Sequence, residues 1–185
     1  MSASIDFSRL ALPFAEDEIE WRVQQAGEKN GRYWALVVPY VTNRAIQQRL
    51  DEVCGVENWK NEFLPGPDGG VMCGIGVRVP VRTTNLTTGE VVETSEWLVK
   101  YDGAENPTME GGAIKGGISN AMKRAAVQFG IGRYLYQLEE TFAVIHERGR
   151  FRAKTKDQKS FRWNPPALPE WALPAQRLTK QENAR

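Results

Sequence analysis

An α+β fold, an antiparallel β-sheet meander with a long helix packed across it, is predicted by three features of this 185-residue chain. Apolar and polar residues alternate in several separate stretches. Clusters of turn-forming residues divide those stretches, and one long segment follows a helical period instead. The cleanest alternation is Val71, Cys73, Ile75, Val77, Val79 and Val81 against Met72, Gly74, Gly76, Arg78, Pro80 and Arg82. Successive strand side chains point to opposite faces, so this is a long strand with one apolar face. The helical segment is 114–129. Wound at about 100° per residue, it gathers Ile114, Ile118, Ala121, Met122, Ala125 and Phe129 into one apolar stripe.

The remaining elements follow in order. Residues 5–14 suggest a short helix or turn anchored by Ile5, Leu10, Leu12 and Phe14. From Glu18 the period is two, with Ile19, Trp21 and Val23 inward, and Asn30-Gly31 is a hairpin turn signal. Tyr33 to Val41 is a second strand, apolar enough to be central. Thr42 is a helix cap, Ile46, Leu50 and Val53 recur at helical spacing, and Gly55 supplies the stop. A strand is expected over Trp59 to Leu64, then the turn cluster Pro65 to Gly70. The long strand from Val71 turns at Asn85 to Gly89 and returns over Glu90 to Tyr101 as a β-hairpin. Pro80 would interrupt a ladder on one side, so this hairpin is an edge or projects from the sheet. After Leu138, Phe142 to Ile145 suggests another strand, and four prolines punctuate the chain from Asn164, with Trp171 as the one large anchor there. Three regions are expected: a core over 1–138, a basic strand or hairpin extension over 139–163, and a proline-rich tail over 164–185.

On the predicted helix, Lys115, Ser119 and Lys123 stack on a face of their own, with Arg124 beside Lys123. Gly116, Gly117, Ser119, Asn120 and Ala126 are small neighbours that leave room for something large, such as a phosphate backbone. The competing reading is an ordinary amphipathic helix with a solvated charged side.

The segment KGGISNAMKRAAVQFGIGRYLY resembles the signature helix of the single-strand annealing proteins of the Rad fifty-two superfamily, in the version of its bacterial and phage members. In that family a Lys-Arg pair ahead of an aromatic-glycine end binds single-stranded DNA. The matching positions are Lys123-Arg124 and Phe129-Gly130, with Lys115 matching a lysine eight residues before the pair. A further arginine three residues after the pair in the eukaryotic form is Val127 here, and Arg133 follows one turn later. WRVQ and TNRAIQQRLDEVCGVENW extend the resemblance, and Arg44 is the nearest match to an arginine that contacts the DNA backbone. The alternative for Arg44 is a solvated first-turn arginine. The resemblance covers about Glu18 to Tyr136. It implies a β-β-β-α core, protomers assembled into a ring or helical oligomer, and DNA in a groove around that assembly.

Arg44, Lys115, Ser119, Lys123 and Arg124 are therefore the candidate residues for single-stranded DNA, with Arg78, Arg82, Lys100, Arg133, Arg150 and Arg152 as candidate secondary contacts. The net charge is only +1, so a nucleic-acid surface requires segregated charge. Residues 147–162 supply some, with seven bases against two acids. Arg148, Arg150, Arg152, Lys154 and Lys156 occupy every second position and would share one strand face; a flexible basic segment is the alternative.

Other chemistries lack their residues. The single histidine, His146, and the widely spaced Cys54 and Cys73 offer no zinc site or nucleophilic triad. GGAIKGG lacks the spacing of a phosphate-binding loop, and Gly74-x-Gly76 lies within a strand. Asp102 and Glu105 could hold Mg²⁺ for a nuclease, but no lysine accompanies them in the pattern that requires. No enzyme activity, metal or cofactor is expected. The start MSASIDFSRL lacks the features of a signal peptide, and no apolar run approaches the ~18 residues of a membrane span. The expected setting is cytoplasmic, with no membrane partner. The expected activity is ATP-independent binding of single-stranded DNA and annealing of complementary strands in recombination and repair, by a homo-oligomer working with a single-strand-binding protein or exonuclease. A passive coat on single-stranded DNA is the alternative.

Overall fold

The computed structural model describes residues 5–105, 113–138 and 140–175. Its elements are β1 (Ile19–Lys29), β2 (Arg32–Val41), α1 (Asn43–Cys54), β3 (Trp59–Pro65), β4 (Val71–Thr84), β5 (Val91–Ala104), α2 (Ala113–Gln128), β6 (Thr141–Phe142), β7 (Val144–Ile145), β8 (Phe151–Lys154) and β9 (Ser160–Asn164). The fold is α+β with antiparallel pairing throughout, as expected. The strands form not one sheet but three, ordered β1-β2-β6, β3-β4-β5 and β7-β9-β8. The chain divides into two compact units, Met1–Leu12 with Asn43–Arg133 and Pro13–Thr42 with Tyr134–Arg185, taken over their described residues.

The first unit holds the β-β-β-α arrangement. β4 is central: Cys73 lies between Phe63 of β3 and Asp102 of β5, and α2 follows β5 in sequence. The odd-numbered β4 residues Cys73, Ile75 and Val77 are fully buried, together with Ala121, Met122 and Ala125 of α2 and Ile46 and Leu50 of α1. Each fully buried aliphatic side chain of this size contributes about 1.5–3 kcal/mol relative to exposure. Asn61 of β3 donates to Met122 Sδ at 3.9 Å, a side-chain contact between sheet and helix. A 3-10 turn, Phe7–Ala11, lies against α1, where Arg49 donates to the carbonyls of Arg9 and Leu12. Leu10 is buried there, whereas Leu12, an expected anchor, is 55% exposed.

β3 begins opposite Val77, so residues 78–84 and 91–97 extend past it as a two-stranded arm. Pro80 sits in that arm, opposite Ser95, where among the described residues no third strand bonds to β4 and its missing N–H costs no ladder bond on that side.

In the second unit, Asn30 and Gly31 join β1 to β2 with φ of 53° and 75°, the backbone of a type I′ hairpin turn. A register shift between Val23 and Gln25 marks a bulge in β1. β2 is central, as expected, and its second neighbour arrives from far along the chain, with Leu36 opposite Phe142. The core gathers Ala35, Val37, Ala143, Phe161 and Trp163. Tyr33 stacks on Phe161 with centroids 5.4 Å apart, and Phe151 lies 5.0 Å from Trp163. Two expectations fail in this unit. Trp171 is 51% exposed, and Leu168 and Ala172 are the buried residues of that segment, because a 3-10 turn at Glu170–Ala172 rotates the indole outward. The five alternating bases do not share one strand face. β8 is only Phe151–Lys154, so Arg152 and Lys154 share a face while Arg148 and Lys156 lie in turns.

Both cysteines are free and buried. Burial raises the Cys54 thiol pKa, and burial with the nearby Glu62 charge pushes Cys73 up to about 11. Thiolate is the reactive form, so neither sulfur should react quickly in the native protein. A colorimetric thiol titration should release little signal at neutral pH, then two equivalents on unfolding in guanidinium. Rapid native labelling would contradict this burial.

Candidate nucleic-acid interface

α2 has two distinct sides. Ala121, Met122, Ala125 and Ala126 are buried, and Phe129 just beyond the helix is nearly so. The buried stripe is broader than the sequence pattern suggested. Gly117 and Ala126, expected to clear space on the cationic side, instead pack inward. The helix lies on β4 and β5, and small residues on its inner side permit close approach.

Side-chain hydrogen bonds tie α2 to β5. Arg124 Nε donates to Asp102 Oδ1 at 2.9 Å, Gln128 Nε2 donates to the Tyr101 carbonyl, and Lys100 Nζ donates to the Gln128 carbonyl at 3.0 Å. Asp102 Oδ1 also accepts the Gly103 N–H at 2.8 Å. Partial burial works to raise the Asp102 pKa. The Arg124 and Gly103 hydrogen bonds, the Arg124 charge and a Gln128 hydrogen bond outweigh it and hold the carboxyl below its ordinary value.

At the C-terminal end of α2, Arg133 donates from Nε to the Val127 carbonyl and from Nη2 to the Gln128 carbonyl, both at 2.9 Å. With Lys100 it satisfies the Gln128 carbonyl, and it adds a second donor to the Val127 carbonyl, which also accepts the Gly130 N–H at 3.0 Å; both cations suit the negative end of the helix dipole. Lys100 Nζ also lies 4.9 Å from the Phe129 ring centroid, and that ring stacks on Phe7 at 6.5 Å. Gly130 then turns the chain with φ of 96°, while its Cα hydrogen faces the Ala11 side chain. A Cβ at Gly130 would stand 3.1 Å from Ala11 Cβ.

The other candidates are distributed as follows. Arg124 is exposed, Ser119 and Lys123 are half-buried, and Lys115 lies in α2 with its side chain outside the described residues. Arg44 is exposed in the first turn of α1. Arg78 and Arg82 share the face of β4 opposite the helix. Arg78 Nε donates to Ser95 Oγ at 2.8 Å, and Arg82 pairs with Glu93 at 2.8 Å. Lys100, opposite Ile75, is on the helix-covered face instead. Arg150 and Arg152 belong to the second unit, where Arg150 lies 5.3 Å from the Phe151 ring and Arg152 stands opposite Arg162. Sequence reading missed the involvement of Asp102 and Gln128. The available signal was period-two alternation through Leu98, Lys100 and Asp102, which puts the acid on the same sheet face as its partners' run Val77, Ile75 and Cys73, the face the helix covers.

Among the described residues, no group of three or more His, Cys, Asp or Glu could hold a metal ion. No helix among them is long and apolar enough to cross a membrane.

The family profile described as "Rad52/22 family double-strand break repair protein" matches residues 7–151. The chain belongs to the Rad52/22 family. The Rad52/22 match enters at Phe7, spans β-β-β-α with α2 entire, and ends at Phe151 in β8. Two relatives, each named "Single-stranded DNA-binding protein DdrA", come from Deinococcus deserti and Deinococcus radiodurans. They are 34% identical over 166 and 169 residues, each alignment covering 90% of this chain and 69% and 66% of the respective relative. This Rad52/22 chain thus spans about two thirds of the length of either relative.

Proposed function

We propose that this chain binds single-stranded DNA along the cationic side of α2 and anneals complementary strands in double-strand break repair, without ATP and without covalent chemistry. The observation that carries this is the two-sidedness of α2: a side buried on the sheet, and an outer side on which the Arg124 side chain is 55% exposed. Membership of a double-strand break repair family and relatives named for single-stranded DNA binding support the same reading.

In this reading Lys115, Lys123, Arg124 and Arg44 engage phosphates, with Ser119 donating a hydrogen bond. Backbone contacts give affinity without sequence preference and leave bases exposed for pairing. A second strand samples registers until it pairs. The net charge of +1 makes one protomer a weak binder, so we assign the working form to a homo-oligomer, ring or filament, in which repeated weak sites sum by effective concentration. Arg78, Arg82, Lys100, Arg133, Arg150 and Arg152 are proposed as secondary contacts, Lys100 and Arg133 chiefly through holding the helix end. Residues 1–138 would form the annealing core, 139–163 a basic extension and 164–185 a tail. A single-strand-binding protein or exonuclease would be the cytoplasmic partner.

Both relatives are named for binding and not for annealing, which favours a passive coat as the second reading. Complementary oligonucleotides carrying a fluorophore and quencher separate the two. Annealing is expected to accelerate at least several-fold over spontaneous pairing, with no nucleotide added. A rate unchanged or slowed, with binding intact, would leave the passive coat.

A further inference from the structure

We propose that Asp102 is an internal competitor for the DNA phosphate, occupying Arg124 when no strand is bound and thereby setting a low affinity per site. This rests on the reading of α2 as the single-stranded DNA face and adds a residue that is itself acidic and contacts no phosphate.

The geometry suits competition. Asp102 is fixed from below: it sits on β5 opposite Cys73, and its Oδ1 accepts the Gly103 N–H at 2.8 Å as well as Arg124 Nε at 2.9 Å. The side chain of Asp102 is 27% exposed and that of Arg124 is 55% exposed, so the carboxylate lies inside the guanidinium. The bond runs from Nε, the nitrogen nearest the aliphatic stem. It therefore engages one side of a guanidinium whose side chain is 55% exposed, and the rest of that exposure is open to an arriving phosphate.

Energetics favour a tuning role over a stabilising one. An ion pair this exposed adds little to folding stability. A carboxylate beside a polyanion site, however, repels each arriving phosphate and neutralises part of the cation meant to attract it. Gripping DNA through Arg124 thus means exchanging or sharing one anion for another. For annealing that is useful, because a strand held too firmly cannot shift register or leave as duplex.

The test compares wild type, Asp102→Asn, Asp102→Ala, Arg124→Ala and the double variant Asp102→Asn/Arg124→Ala, by fluorescence anisotropy with labelled oligo-dT at several salt concentrations. Asn keeps an acceptor for Gly103 N–H and Arg124 Nε while removing the charge; Ala provides a second neutral variant, and circular dichroism establishes that each is folded. Both Asp102 variants should bind about three- to fivefold tighter at low salt. The gain should shrink as salt rises and disappear in the Arg124→Ala background. Unchanged or weaker binding by both neutral variants overturns the proposal, as does a gain that persists undiminished without Arg124. Arg124→Ala alone distinguishes the levels. If it weakens binding while the Asp102 variants do not tighten it, only the competitor role falls. If Arg124→Ala binds as wild type, the role of α2 as the DNA face falls with it.

Discussion

Replacing Lys123 and Arg124 together with alanine is expected to weaken oligo-dT binding by about ten- to a hundredfold at low salt, with the fold intact. The estimate follows from losing two phosphate contacts of about 1 kcal/mol each, toward the upper end where several sites act together. The salt dependence carries the sharper signature. Each phosphate neutralised on a single strand contributes a slope of about 0.7 in log affinity against log salt, so the double variant should flatten that slope by about 1.4 per site. Titrations at four or five salt concentrations measure both quantities. The fold should survive because Arg124 is exposed and its ion pair with Asp102 is a surface pair. Lys123 is half-buried beside the fully packed Met122, so a melting curve should accompany the titration. An unchanged isotherm and slope would remove these two residues from the site.

Gly149→Ala is expected to be the most damaging single-methyl change in the second unit. Gly149 closes the turn that starts at His146, with its N–H on the His146 carbonyl at 2.8 Å, and its own carbonyl accepts Arg162 Nε at 2.7 Å. A Cβ there would press on the Trp163 backbone nitrogen and come within 2.8 Å of Trp163 Cα and carbonyl carbon. These are backbone atoms of β9, the central strand of its sheet, and no rotamer change can move them aside. Either the turn lifts away, breaking its bonds to His146 and Arg162, or β9 shifts and disturbs the Trp163 packing against Phe151. Overpacking of this kind costs about 2–3 kcal/mol. For a chain of this size that lowers the melting temperature by about 5–10 °C. Thermal melts followed by tryptophan fluorescence read it, since Trp163 reports directly on the strand. A midpoint within 1–2 °C of wild type would mean the turn relaxes at no cost.

Local elements were legible in the sequence because each depends on nearby residues. The hairpin at Asn30-Gly31, the stop at Gly55, the long alternating strand from Val71 and the helix through Lys123 are specified by period and turn chemistry, and each occurs. So is the arm bearing Pro80, since a proline there is compatible only with a strand lacking a partner on one side. The anchors at Leu12 and Trp171 misled because burial depends on which elements arrive to cover a residue, and an apolar side chain carries no record of that. The run of alternating bases misled for a related reason: alternation places side chains on one face only where a strand exists, and β8 spans just four residues.

The candidate site divides in the same way. Helical spacing puts Lys115, Ser119, Lys123 and Arg124 on a side away from the apolar stripe, a consequence of a 3.6-residue period that holds whatever the helix packs against. The partners of those cations are a matter of strand register and chain return. Asp102 meets Arg124 because β5 pairs with β4 in a register that points it at the helix, and Lys100 and Arg133 converge on the last carbonyls of α2 from opposite directions along the chain. Periodicity is a property of a few consecutive residues. Charge pairing across elements arises only when distant segments pack, and packing alone brought Asp102 to Arg124.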